Sequence, residues 1–70
     1  MICFYKINET NEYIYYDFSS TSPGKIKINK STKEIVLLDY GDEDSEELIF
    51  IIKKYVIENS YPTQYTYAWC

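Results

Sequence analysis

Hydrophobic and polar positions alternate through the first half of the chain. Residues 2–8 (ICFYKIN) and 12–19 (EYIYYDFS) are rich in β-branched and aromatic side chains and predict two strands. Residues 8–11 (NETN) between them are turn-forming and short enough for a hairpin. Apolar residues fall on both phases of the two-residue repeat: Ile2 and Phe4 against Cys3, Tyr5 and Ile7, then Tyr13 and Tyr15 against Ile14, Tyr16 and Phe18. Successive strand residues face opposite sides of a sheet. One face of the pair therefore meets a core, and the other is lined by tyrosine.

Residues 19–24 (SSTSPG) predict a loop with Pro-Gly turn chemistry. Residues 25–30 (KIKINK) alternate strictly, with Ile26 and Ile28 on one face and Lys25, Lys27 and Asn29 on the other, as a half-exposed strand does. Ser31 to Lys33 form a turn. In residues 34–40 (EIVLLDY) the apolar run is continuous, which predicts a central or doubly covered fourth strand.

The period then changes. Gly41 breaks the strand, and Asp44 or Ser45 caps a helix whose first turn, with Glu46 and Glu47, suits the positive end of the helix dipole. Leu48, Ile52, Tyr55 and Val56 share one face at helical spacing, with Ile51 and Asn59 beside them and Lys53 and Lys54 off it. Ile49, Phe50 and Ile57 widen the apolar arc, so the helix is expected to be covered on more than one side. Asn59-Ser60 ends it, and Tyr61-Pro62 forbids continuation. Residues 64–69 (QYTYAW) are extended again and either add a fifth strand or run along the helix. The expected fold is a single α+β domain over residues 1–70. An antiparallel β-meander of about four strands packs against one α-helix in the C-terminal half, with a short extended C-terminal tail.

Composition narrows the chemistry. The chain has nine tyrosines and neither histidine nor arginine. Tyrosine suits protein-binding surfaces, because it offers large contact area with few rotors to freeze and a hydroxyl to pair. Catalytic sites usually draw on histidine, or on a nucleophile beside a base, and that base is missing. Cys3 and Cys70 match no zinc or redox spacing and lie next to the chain ends. A disulfide joining them is conceivable, although small stapled domains usually carry more bridges. Enzyme activity and a cofactor are not expected. In the acidic run, Asp42, Asp44 and Glu46 have the alternate spacing of a calcium loop. The glycine and bidentate acid such a loop needs at its sixth and twelfth positions are replaced by Glu47 and Lys53, so an EF-hand is excluded and no metal is expected.

The ionisable groups sort into blocks. Lys25, Lys27, Lys30 and Lys33 form a basic stretch, and Asp39, Asp42, Glu43, Asp44, Glu46 and Glu47 follow it. The net charge is −4, which sets nucleic-acid binding at a disadvantage and suits a basic partner. The N-terminus lacks the basic lead and apolar run of a signal peptide. No apolar stretch approaches the roughly 20 residues that span a bilayer, so a cytoplasmic protein with reduced thiols is expected.

From Pro23 to Cys70 the order is a Pro-Gly turn, Lys-Ile-Lys-Ile-Asn-Lys-Ser-Thr-Lys-Glu-Ile, an acidic helix start, the helix, Tyr61-Pro62 and a closing Ala68-Trp69. This order resembles a group of small bacterial proteins that look like immunity proteins of polymorphic or contact-dependent toxin systems. In that group a strand ends in an Asp-Lys-x-Thr-Gly-Glu-like turn. Here Asn29 stands in place of the Asp, and Lys33 in place of a Gly that would relieve a positive φ. The resemblance implies a cytoplasmic toxin inhibitor that acts by protein–protein contact, its partner a basic toxin domain. Asp42, Glu43, Asp44, Glu46 and Glu47 would supply charge to that contact, and Tyr13, Tyr15, Tyr61, Tyr65, Tyr67 and Trp69 the aromatic anchors. The rival readings are a homo-oligomeric interaction protein whose aromatic face pairs with itself, and a single-stranded nucleic-acid module using the tyrosines to stack bases.

Overall fold

The computed structural model describes residues 1–39, 41 and 44–68. Five antiparallel strands form one sheet: β1 (Ile2–Glu9), β2 (Tyr13–Ser19), β3 (Pro23–Asn29), β4 (Ile35–Asp39) and β5 (Gln64–Tyr67), in the spatial order β4-β3-β2-β1-β5. Helix α1 (Ser45–Ile51) continues without a break into a π-helical segment, Ile52–Ile57. The architecture is α+β with a larger β share than the four strands expected, because the tail closes the sheet. Tyr67, Thr66, Tyr65 and Gln64 pair with Ile2, Cys3, Phe4 and Tyr5.

One face of the sheet carries the core. Ile2, Phe4, Ile14, Tyr16, Phe18, Ile26 and Ile28 meet Leu48, Ile51, Ile52 and Val56 of the helical segment, all at 3% exposure or less. Ile35 and Leu37 of β4 and Tyr55, Tyr65 and Tyr67 pack around this centre. Tyr55 stacks on Tyr65 at 5.5 Å between ring centroids and tilts against Tyr67 at 5.0 Å, which fastens β5 to the helix.

Three features differ from the sequence expectation, each for a physical reason. Pro23-Gly24 opens β3 instead of turning the chain. Gly24 pairs with Phe18, and a side chain there would collide with that ring and with the Asp39 carbonyl oxygen. The glycine is needed for close approach, not for a turn. The apolar strand β4 lies at the edge of the sheet, not at its centre, because it ends the meander and the later described strand, β5, pairs with β1 instead. Leu38 is the extra residue of a bulge between the Ile26–Leu37 and Lys25–Asp39 pairs and is 51% exposed. The helix is covered by the sheet on one side only. Phe50 is left 59% exposed, with the Lys54 ammonium 5.8 Å from its ring centroid.

Both helix ends follow capping chemistry. The Asp44 carboxylate accepts from the Glu46 and Glu47 backbone N–H groups at 2.9 and 3.1 Å. At the other end the helix stops at Ile57, two residues short of Asn59. The Asn59 side-chain amide donates to the Tyr55 carbonyl at 2.7 Å, and Tyr61 N–H reaches back to Val56 O at 2.9 Å. Ser60 and Tyr61 take positive φ values of 61° and 57° to make that return. The turn between β3 and β4 is held by Asn29, whose side-chain oxygen accepts from the Ser31 and Thr32 N–H groups at 2.9 and 3.0 Å. Lys33 closes it with φ 66°, the left-handed conformation for which a glycine is suited.

Candidate functional site

Strand alternation puts the other face of the sheet opposite to the helix, and no described segment covers it. Its side chains form three cross-strand rows. Tyr15 lies between Asn8 and Lys27, with Val36 beyond. Tyr5 and Gln64 continue through Asp17 and Lys25 to Asp39. Thr66 and Cys3 continue through Ser19 to Pro23. Tyr13 stands at the end beside Asn29. A bulge at Ile7 keeps Tyr5 and Tyr15 on this face although the pairing register shifts between them.

Tyr13 and Tyr15 pack on each other here without being buried. Tyr13 and Tyr15 lie 6.3 Å apart, and the Lys27 ammonium sits 4.4 Å from the centre of the Tyr13 ring. Tyr5 is 41% exposed. The neighbouring Cys3 thiol holds the Tyr5 hydroxyl above the ordinary tyrosine value. Thr66 donates its hydroxyl to the Cys3 sulfur at 3.7 Å. A hollow of about 350 Å³ opens among Tyr5, Asp17, Ser19, Pro23, Lys25 and Asp39, with Phe18 and Gly24 also lining it. Lys25 donates to Asp17 at 2.9 Å inside this row.

The basic stretch is largely engaged within the chain. Lys25 pairs with Asp17 and Lys27 covers Tyr13. Lys30 reaches Glu9 at 2.7 Å, and Lys33 donates to the Tyr61 hydroxyl at 3.2 Å. Glu9 also accepts from Lys6 at 3.4 Å. Hydrogen bonds from Lys30 first, and then from Lys6, hold the Glu9 carboxyl below the usual carboxylate range.

The residues expected to form a partner surface occupy three separate places. Tyr13 and Tyr15 lie on the uncovered face. Tyr65 and Tyr67 point the other way and pack on Tyr55 against the helix, because β5 alternates in step with Ile2 and Phe4. Tyr61 sits at the end of the helical segment against Lys33. Glu46 and Glu47 are exposed in the first helical turn, and Asp44 is occupied as its cap. Asp42, Glu43 and Trp69 lie outside the described residues, as does Cys70, on which a pairing with Cys3 depends. Tyr5, absent from the expected set, belongs with Tyr13 and Tyr15. The odd-numbered phase of residues 2–8 was its signal. Among the described residues no helix is long and apolar enough to cross a membrane.

Comparison with known proteins adds no neighbour: no family model, no curated protein and no solved structure matches the chain.

Proposed function

We propose that this protein is a binding module that neutralises a cognate bacterial toxin by direct contact, with the uncovered sheet face as its docking surface. The observation that carries the reading is the tyrosine-bearing face itself. Tyr5, Tyr13 and Tyr15 stand on a rigid antiparallel sheet whose opposite side holds the core, so their placement is fixed before any partner arrives. Rigid aromatic residues of this kind concentrate binding energy at protein interfaces. The net charge of −4 favours a basic partner such as the working surface of a nucleic-acid-cleaving toxin. Such steering acts through the whole field of the molecule, so the acidic helix start need not touch the partner. A nucleic-acid reading fares worse, since Lys25 and Lys30 are neutralised by carboxylates within the chain. The chain would act without cofactor or metal, in the cytoplasm where such a toxin works.

The test is co-expression with the toxin encoded beside it. Protection from killing and a stoichiometric complex support the reading. Undiminished killing in the presence of folded protein sinks it.

A further inference from the structure

The hollow on the uncovered face arises from a step between two rows of side chains. Along β1, β2 and β3 the long side chains of Tyr5, Asp17 and Lys25 stand beside the short ones of Cys3, Ser19 and Pro23. Residues two apart on a strand share a face, so the step leaves a recess. Its volume is about 350 Å³, and most of its wall is carbon, with Tyr5 and Pro23 contributing. Ligand sites begin at about 300 Å³, so this one suits a single side chain better than a nucleotide.

The charges along the hollow do not balance. The Lys25 ammonium donates to Asp17 at 2.9 Å and is drawn toward β2. Asp39 is the neighbour of Lys25 on the opposite side, and among the described residues no ammonium pairs with its carboxylate. One Asp39 carboxylate oxygen accepts from the Gly41 N–H at 3.0 Å, which fixes the group without neutralising it. Lys27, the next lysine on the same face, is turned to the Tyr13 ring. The lining therefore sets two carboxylates against one ammonium. Asp39 is exposed and solvated while the face is open. A partner docked there strips that water away, and a covered carboxylate without a cation is costly.

We propose that this hollow receives an arginine side chain of the protein partner. The inference rests on the toxin reading for its partner and adds the group by which that partner is recognised. The guanidinium meets Asp39, and the side chain lies between Tyr5 and Pro23. Arginine suits the place better than lysine, because its planar head pairs a carboxylate at two points, stacks on an aromatic ring and is weakly hydrated. A phosphate or an acidic side chain would be repelled by Asp17 and Asp39. An apolar side chain would leave Asp39 covered and unpaired.

The experiment is an NMR titration of the heavy-nitrogen protein with N-acetyl-arginine N-methylamide, with the lysine and norleucine counterparts as controls. Calorimetric titration of the adjacent-gene toxin domain is run alongside. The arginine probe should shift the amide signals of Gly24, Lys25 and Gly41 saturably, and the norleucine probe should not. Asp39→Asn keeps an oxygen for the Gly41 N–H, so it should stay folded by circular dichroism. It should abolish the arginine shifts and weaken toxin binding about tenfold or more. Lys25→Met keeps the length of the stem and removes the competing charge. It should tighten both, which a merely structural role for Lys25 would not produce. Arginine shifts that are absent, matched by lysine or norleucine, or unchanged in folded Asp39→Asn overturn the proposal. So does toxin binding that is indifferent to both variants. If the arginine probe binds as expected and the toxin does not bind the unaltered protein, the toxin reading alone fails and the hollow stands as an arginine site for another protein.

Discussion

Tyr15 and Tyr16 are adjacent in sequence and face opposite sides of β2. Tyr16 is wholly buried beneath the helix, where its hydroxyl donates to the Pro62 carbonyl and ties the segment before β5 to the sheet. Tyr15 is half-buried on the uncovered face, flanked by Tyr13 and opposite Lys27. The contrast extends across the sheet. The covered face holds Ile2, Phe4, Ile14, Phe18, Ile26 and Ile28, and the uncovered face holds tyrosine, lysine, aspartate and serine. Composition alone does not separate structural from interacting tyrosines. Strand phase does, because the side facing the helix must exclude water and the other need not. The same residue type can therefore be asked for stability on one side and for recognition on the other.

The largest effect that tests this contrast is a core truncation. Phe4→Ala should cost about 3–5 kcal/mol in denaturant unfolding, whereas Tyr15→Ala on the opposite face should cost less than about 1 kcal/mol. Equal costs would mean that the two faces are not differently loaded. Gly24→Ala comes next. The added methyl must displace the Phe18 ring and the Asp39 backbone, at about 1–3 kcal/mol.

Tyr16→Phe leaves the ring in the core and removes only the hydroxyl. It should cost about 1–3 kcal/mol, because the Pro62 carbonyl loses its donor. The same variant sharpens a pH prediction. Burial first, and then the charge of Glu9, holds the Tyr16 hydroxyl above the ordinary tyrosine value. Its neutral form is thus favoured in the folded state. Stability from this source is present below the ordinary tyrosine pKa and is lost as pH rises beyond it. Tyr16→Phe should flatten that alkaline decline in a pH series of thermal melts.

Smaller effects lie at the ends of the sheet. Lys33→Gly should raise stability by up to about 1 kcal/mol, since it relieves the positive φ at the cost of a more flexible unfolded chain and exposed contacts to Tyr61. Glu9 has the opposite pH sign to Tyr16. Its carboxyl is held low, so its contribution is present above the usual carboxylate range and is lost as pH falls through the depressed value. Glu9→Gln should remove that part of the acid limb with little change at neutral pH.

Much of the fold was legible because hydrophobic phase is a local signal. The strict alternation of Lys25 to Asn29 and the two-phase pattern of the first hairpin placed their faces correctly, down to the tyrosine lining. The acidic cap was equally local, and Asp44 performs it. What escaped depends on contacts distant in sequence. Nothing near Val36 says that β5 will pair with β1 instead, so its apolar run read as central when it is an edge. Gly24 read as a turn residue because the ring of Phe18, its cross-strand partner, is invisible to local pattern. The helical spacing of Leu48 to Val56 likewise did not reveal that the second half widens into a π-helical segment. The candidate surface was half legible for the same reason. Tyr13 and Tyr15 declare their common face by spacing. Tyr65 and Tyr67 share the same alternation, and only the pairing of Tyr65 with Phe4 reveals that their face is the covered one.

The central claim is that the uncovered tyrosines bind and the covered ones support. Calorimetric titration of the adjacent-gene toxin domain into the unaltered protein, Tyr15→Ala and Tyr65→Ala tests it most directly, with each variant first shown to be folded by circular dichroism. The account predicts that Tyr15→Ala weakens binding by about 2 kcal/mol or more with its melting temperature nearly unchanged, and that Tyr65→Ala lowers the melting temperature while binding persists. Binding that survives Tyr15→Ala intact but fails in folded Tyr65→Ala would contradict it.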